Sequence, residues 1–220
     1  MLTIIGLLLG AWLVWGYVRR APSGTSLVIF PPRKRWALTL AQPMVDATGM
    51  TGFFDPATTY FADQARNTLR APLLHQIGFR NNATDTEVLE HLNTTLERQW
   101  FRIDLHGLKP SDDPQAAMAF ACVRSAFFVR CAMLMGWLEA ESGWRIMLLN
   151  AQRAQDCFAD WEDFGRAFMR GRQQWVAAFR ADALGQSFNE DTLSRLLASD
   201  TGAWAATPWK GLPAFSPQAD

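Results

Sequence analysis

The sequence lacks the short motifs that mark most catalytic sites. It contains no glycine-rich phosphate-binding loop, no GxSxG nucleophile elbow, no HExxH zinc motif and no paired CxxC. The three histidines, His75, His91 and His106, each lack a second histidine or cysteine at ligand spacing. We therefore identify no catalytic residue, and we predict no bound metal and no cofactor.

An excess of charge of either sign is also missing. The 21 basic and 21 acidic residues give a formal net charge of zero. Nucleic-acid-binding proteins usually carry a basic excess or a basic stripe, so we predict no nucleic-acid partner. Cysteine is scarce: Cys122, Cys131 and Cys157 are odd in number, and two of them lie in an apolar segment. This pattern predicts buried, reduced thiols in a reducing compartment.

That apolar segment runs from Ala116 to Leu138 and is the longest apolar stretch of the sequence. Polar residues interrupt it only at Arg124, Ser125 and Arg130. At about 100° per residue, apolar side chains fall on every face of such a helix. A helix of this kind is either buried at the centre of a domain or spans a membrane. An arginine near the bilayer midplane costs about 2.5–3.5 kcal/mol, so two of them favour the buried helix.

Capping residues predict further helices around this central one, and no segment shows the alternation of a strand. An Asp-Pro pair opens a predicted helix from Asp55 to about Arg70, and Ala71-Pro72 is expected to end it. Residues 84–87 have capping-box spacing, and Asp160 caps the last long helix. We predict an all-α fold, a compact domain of about six to eight helices around a buried central helix.

The last long helix has one buried stripe that contains Trp161, Phe168 and Trp175. Gly171 lies on the same stripe, where it costs near 1 kcal/mol of helix propensity relative to alanine. We therefore expect Gly171 to permit a close approach to another helix.

The first twenty residues form a second apolar stretch. Residues 2–18 are uncharged and long enough, at the short end of the range, to span a membrane. A cleaved signal peptide carries positive charge before its apolar run, whereas here the charge follows it. We predict a single N-terminal transmembrane helix, a signal anchor, with a cleaved signal or an interfacial helix as the alternatives. The positive-inside rule then places the rest of the chain in the cytoplasm.

The predicted organisation is an anchor over residues 1–20, a basic Pro-Ser-Gly tether over 21–34, a helical domain over 35–200, and an irregular Trp- and Pro-rich tail over 201–220. The basic residues near the membrane either contact anionic lipid headgroups or are solvated charges at the start of a helix. These residues are Arg19, Arg20, Arg33, Lys34 and Arg35.

Charged residues on or beside buried faces are the candidate binding residues. Buried guanidiniums need carboxylates or carbonyls, and acids at the starts of the next two helices, Glu139, Glu141, Glu162 and Asp163, are plausible partners. One interpretation is a structural ion-pair network that joins three helices. The other is an anion or acidic peptide bound by arginines beside tryptophans. The candidate set is Arg124, Glu141, Trp161, Glu162, Arg172 and Trp175.

Several short motifs follow Arg124 in order: Gly136-Trp137, Glu141 with Trp144, Asp160-Trp161-Glu162, and residues 171–175, Gly-Arg-Gln-Gln-Trp. With these motifs the chain resembles the bacterial domain-of-unknown-function 1266 family over about residues 35–179, where Arg-Trp-Ala-Leu at 35–38 is similar to the family's start. The family often has Trp-Asp shortly before the helix arginine, and this chain has Phe120-Ala121 there, so an Asp–Arg pair is missing. The resemblance implies a helical bacterial domain, and therefore the inner membrane for the anchor. It implies no activity.

Two functional hypotheses follow. The first is a membrane-tethered cytoplasmic module that binds an unknown protein partner through a groove rimmed by tryptophan and arginine, for example an immunity or secretion-associated accessory protein. The second is an enzyme or a small-molecule or anion binder that uses an Arg/Glu/Trp cluster in an interhelical cleft. Convergence of the arginines and glutamates on an open pocket would favour the second hypothesis.

Overall fold

A computed structural model describes residues 32–55, 58–99, 105, 108–178 and 188–210 of the 220-residue chain. This part contains eight α-helices and no strand, which confirms the predicted all-α class. The predicted anchor over residues 1–20 lies outside the described residues, as does nearly all of the tether. The helices are α1 (Pro32–Thr39), α2 (Gln42–Thr48), α3 (Asp63–Gln76), α4 (Asp85–Gln99), α5 (Pro114–Met135), α6 (Ala140–Cys157), α7 (Trp161–Ala177) and α8 (Glu190–Ala198).

Helix α5 is the predicted central helix, and its side chains are buried along nearly all of its length. The Asp113 carboxylate caps its start by accepting hydrogen bonds from the backbone N–H groups of Gln115 and Ala116 at 2.9 and 3.2 Å. Gly136, with φ of 74°, ends the helix in the left-handed conformation that glycine adopts readily. Within the described residues α5 alone is long and apolar enough to cross a membrane, but it is mostly buried inside the domain.

Helix α6 packs antiparallel to α5. The Asn150 side chain donates a hydrogen bond to the carbonyl of Cys122 at 2.8 Å, and Gln115 donates to the carbonyl of Cys157 at 3.2 Å. All three cysteines are free. Cys122 and Cys131 are buried, as predicted, whereas Cys157 is only half-buried. Burial raises the pKa of the Cys131 thiol.

Helix α7 approaches α5 closely at Gly171. A Cβ atom at this position would lie 2.1 Å from the carbonyl oxygen of Ala116 and 2.9 Å from Cβ of Phe120. The predicted close approach at Gly171 is therefore confirmed, because any side chain there would meet the backbone of α5.

Arg130 is only 5% exposed on α5, and it holds the loop between α2 and α3. Its guanidinium donates hydrogen bonds to the carbonyls of Phe53, Asp55 and Thr58 at 3.2, 3.2 and 3.0 Å. Burial lowers the pKa of Arg130, because carbonyl dipoles replace water around the cation. Carboxylates or carbonyls were the expected partners of a buried guanidinium. In the described part of the chain the hydrogen-bond partners of Arg130 are carbonyls.

Both predicted ends of the helix after this loop are wrong. The helix expected from Asp55 to Arg70 begins at Asp63 and continues to Gln76. The backbone N–H of Phe61 donates to the carbonyl of Leu134 at 3.0 Å, which ties the preceding residues to the end of α5. Pro72 lies inside the helix, where its missing N–H frees the carbonyl of Thr68. Thr68 is exposed, so water can satisfy that carbonyl.

The segment after α8 forms turns, and its tryptophans reach the core. Trp204 and Trp209 are buried and pack with Trp36 of α1 and Trp161 of α7, and we call these four residues the tryptophan cluster. Each indole N–H donates to a backbone carbonyl, at 2.7 to 3.2 Å. These ring contacts and hydrogen bonds hold the turns after α8 against α1 at the start of the domain.

Candidate functional site

Three of the six candidate binding residues lie on facing parts of α5 and α7. The guanidinium carbon of Arg124 lies 4.5 Å from the ring centroid of Trp175 and 5.6 Å from that of Phe120. The Trp175 and Phe120 rings are 5.3 Å apart. Arg172 lies three residues before Trp175, on the neighbouring part of the same helix surface. We call Phe120, Arg124, Arg172 and Trp175 the arginine–tryptophan patch.

Arg172 differs from the other arginines of α7. Arg166 forms ion pairs with Glu162 and Glu190, at 3.0 and 2.7 Å, and Arg170 forms one with Asp113 at 3.3 Å. The Nε atom of Arg172 is buried and has no hydrogen-bond partner among the residues that the structure describes. A buried donor left without an acceptor costs about 1–3 kcal/mol, so an acceptor that reached this atom would be favourable.

The other three candidate residues lie elsewhere. Trp161 belongs to the tryptophan cluster in the core, and its indole N–H donates to the carbonyl of Thr207 at 2.7 Å. Glu162 is exposed and pairs with Arg166 one turn later on the same helix. Glu141 is exposed in the first turn of α6. At about 1.5 Å per residue, Glu162 is roughly 15 Å along α7 from Arg172, so this carboxylate does not join the patch.

The basic residues that precede the domain begin α1. Pro32 is the first residue of this helix, and Arg33, Lys34 and Arg35 follow it. The Lys34 ammonium lies 5.0 Å from the ring centroid of Trp144 on α6, and Arg130 lies 5.9 Å from the same ring. Arg35 is exposed. The geometry is compatible with both predicted roles, lipid contact and solvated charge.

A charged cluster around Asp85 was not predicted from the sequence. The Asp85 carboxylate, at the start of α4, accepts hydrogen bonds from Arg66 and Arg70 of α3 and from the indole N–H of Trp137, the last at 2.8 Å. Desolvation raises the pKa of Asp85, but these hydrogen bonds and the arginine charges outweigh it and hold the pKa below its usual range. This cluster joins α3, α4 and the end of α5, and its acceptor atoms are already occupied.

A pocket of about 790 Å³ lies between α2, α8 and the turns after α8. Asp46 of α2 and Arg195 of α8 both line it. The Gln42 side chain donates to the Asp46 carboxylate at 2.6 Å, and desolvation raises the pKa of Asp46 above its usual range. Sequence reasoning missed this pocket, because residues 149 positions apart along the chain share no local motif. Among the described residues no group of three His, Cys, Asp or Glu side chains could hold a metal ion.

The fold and these sites define an all-α domain around a buried central helix, with arginine side chains at both candidate binding sites. The family model for proteins of unknown function DUF1266 matches residues 46–209, and the chain belongs to this family. The predicted family is therefore confirmed, although the match begins at Asp46 and not at Arg35, and extends to Trp209. No curated protein and no solved structure matches the chain.

Proposed function

We propose that this protein is a membrane-tethered helical module that binds another protein through the arginine–tryptophan patch. The proposal rests on one observation. The guanidinium of Arg124 lies over the ring of Trp175 beside Arg172, whose Nε atom is buried and has no acceptor in the described part of the chain. Arginine and tryptophan are the side chains that most often dominate the binding energy of protein interfaces. A guanidinium held on an aromatic ring is also oriented before its partner arrives, which reduces the entropy lost on binding.

The charge of the patch indicates the chemistry of the partner. Arg124 and Arg172 bring two positive charges, and the nearby Asp113 carboxylate is already bonded to Arg170 and to the first turn of α5. A partner segment with aspartate or glutamate would supply acceptors in the planar geometry that guanidinium groups match. We therefore propose an acidic segment of a partner protein as the occupant.

The alternative, an enzyme or small-molecule binder built from the Arg/Glu/Trp cluster, is less well supported. Glu141 and Glu162 are exposed at the starts of two helices, and Glu162 is paired with Arg166. General acid–base chemistry requires a carboxylate within hydrogen-bond reach of the reacting group. The two glutamates of this cluster are therefore poorly placed for such a role beside Arg124.

The tethering part of the proposal rests on the apolar stretch over residues 1–20 and on the basic residues that follow it. Arg33, Lys34 and Arg35 lie in the first turn of α1, where cations are disfavoured by the helix dipole by about 0.3–1 kcal/mol each. Anionic lipid headgroups near this end of the domain would offset that cost. We place the domain on the cytoplasmic face of a bacterial inner membrane. Reporter fusions after Asp220 test this, and activity from a periplasmic reporter alone would reject it.

The partner is tested by crosslinking the full-length protein in its native membranes and purifying it, in parallel with Arg172→Ala and Trp175→Ala variants. We expect a stoichiometric partner that is lost in both variants and released by high salt, because screening weakens contacts between exposed charges. Arg166→Ala is the matched control, since Arg166 lies on the same helix but is exposed and ion-paired. A partner retained by both variants, or lost equally in the control, would show that the patch is not the contact surface.

A further inference from the structure

The pocket between α2 and α8 is a second candidate site, separate from the arginine–tryptophan patch. Its volume of about 790 Å³ is within the range of about 300–1,000 Å³ that is typical of small-molecule sites. One wall comes from α2 and the loop after it, and the other from α8 and the turns that follow. Its lining combines charged, hydroxyl and apolar side chains, so it offers several kinds of contact to a ligand.

Two opposite charges line this pocket without forming an ion pair with each other or with any other described residue. Among the described residues, the Arg195 guanidinium makes only long hydrogen bonds to its own helix, to the carbonyl of Asp191 at 3.4 Å and to the Thr192 hydroxyl at 3.3 Å. Within the same residues the Asp46 carboxylate has one hydrogen bond, which Gln42 donates. Each charged group therefore keeps capacity for a ligand group of opposite sign.

The Asp46 carboxylate is also held in position. Gln42 donates to it through its amide nitrogen, while the amide oxygen of Gln42 accepts from the backbone N–H of Ala203 at 3.1 Å. These two bonds fix the orientation of the Gln42 amide and fasten the carboxylate to the opposite wall of the pocket. The same Gln-to-Asp spacing recurs on α6, where Gln152 donates to Asp156 at 2.8 Å on an exposed surface. In the described part of the chain, the Gln152 amide makes no second hydrogen bond that would hold it as Ala203 holds Gln42.

The apolar lining indicates that the uncharged part of a ligand is apolar. Met50, Phe54, Phe188 and Leu196 line the pocket together with Asp46 and Arg195. We propose that this pocket binds a small zwitterion with an apolar side chain, of the amino-acid or dipeptide class. Its ammonium group faces Asp46, its carboxylate faces Arg195, and its side chain contacts the apolar lining. Desolvation raises the pKa of the Asp46 carboxyl, and the hydrogen bond from Gln42 and the positive charge of Arg195 offset part of this effect.

The test measures binding of L-phenylalanine and of L-leucyl-L-phenylalanine to the full-length protein in mild detergent by isothermal titration calorimetry. We expect saturable binding of at least one of the two, weakened by about tenfold or more in both Asp46→Asn and Arg195→Gln. Asp156→Asn is the matched control, because Asp156 has the same hydrogen bond from a glutamine four residues earlier but lies outside the pocket. It should bind as the parent does. Circular dichroism verifies that each variant is folded.

Blocked probes separate the two charge contacts. Phenylalanine amide, which lacks the carboxylate, should bind more weakly and should be insensitive to Arg195→Gln. N-acetyl-phenylalanine, which lacks the ammonium, should be insensitive to Asp46→Asn. No saturable binding of either zwitterion to the parent protein would overturn the proposal, as would equal binding to the parent and both pocket variants. Since these residues lie outside the arginine–tryptophan patch, neither result bears on the proposed protein partner.

Discussion

Replacing Gly171 by alanine tests the packing of α7 on α5 most directly. Alanine is a better helix former than glycine by about 1 kcal/mol, so propensity alone predicts that Gly171→Ala stabilises the protein. The new Cβ atom, however, would lie 2.1 Å from the carbonyl oxygen of Ala116 and 2.7 Å from its carbonyl carbon. These are backbone atoms of the central helix, so they cannot move without shifting α5 or α7.

The size of the effect follows from these opposing contributions. Overpacking a core typically costs about 1–3 kcal/mol, and a clash with helix backbone belongs at or above the upper end. After the gain in propensity is subtracted, we expect Gly171→Ala to lower the free energy of unfolding by about 2 kcal/mol. For a protein of this size that corresponds to a fall in Tm of roughly 4–8 °C.

Gly143→Ala provides the control for this measurement. A Cβ at Gly143 of α6 would also meet a close neighbour, Sδ of Met133 at 2.4 Å, but that neighbour is the far end of a flexible side chain. We expect Gly143→Ala to change the Tm by less than half as much as Gly171→Ala does. Thermal unfolding followed by circular dichroism compares the two variants with the parent. A Gly171→Ala protein as stable as the parent would show that α7 does not approach α5 as described.

Three further predictions concern other contacts. Arg130→Met should lower the free energy of unfolding by at least about 2 kcal/mol in urea titrations, because it removes the donor for three loop carbonyls. An unchanged midpoint would contradict this role. Asp85 has a folded-state pKa below its unfolded value of about 3.9, so its contribution to stability is complete above that value and is lost as the pH falls through the folded pKa. Asp85→Asn should therefore lower the free energy of unfolding at pH 7, and that free energy should then fall less steeply on acidification than it does in the parent. Urea titrations from neutral to acidic pH measure both effects. An equally steep fall in the two proteins would contradict this role of Asp85. Trp204→Phe removes the hydrogen bond to the carbonyl of Thr39 and replaces a buried indole by a smaller ring, so urea titrations should show a loss of at least about 1 kcal/mol. A variant as stable as the parent would contradict this prediction.

The parts of the fold that local chemistry determines could be predicted from the sequence. The sequence places an apolar central helix behind an aspartate cap with proline at the first helical position, and in the structure Asp113 caps a helix that begins at Pro114. The capping box is also present, since the Glu87 carboxylate accepts from the backbone N–H of Thr84 and the Thr84 hydroxyl accepts from the backbone N–H of Glu87. Asp160 caps α7 in the same way, by accepting from the backbone N–H of Asp163 at 2.8 Å. In each case the partners lie within a few residues, so spacing is enough to identify them.

The errors have a common physical origin in contacts between distant residues. Asp55 resembles a helix cap, but its backbone carbonyl accepts a hydrogen bond from Arg130, and the residues after it are tied to the end of α5. The pocket pairs α2 with α8, which no sequence spacing encodes. Helical periodicity does place Arg172 beside Trp175, because residues three apart are neighbours on a helix surface. Periodicity could not show that Glu162 would pair with Arg166 instead of with the patch.

The tryptophan cluster also has a consequence for the order in which this protein is made. Trp36 donates its indole hydrogen bond to the carbonyl of Pro208, 172 residues later in the chain. During synthesis from the N-terminus, α1 can form early and pack on α5 and α6, but Trp204 and Trp209, which complete the tryptophan cluster, follow much later in the chain. Contacts across so long a stretch of chain form slowly, so the tryptophan cluster is expected to close after the helices have packed. Intrinsic tryptophan fluorescence should report this closure, and a chain that ends before Trp204 should leave Trp36 and Trp161 more accessible to solvent.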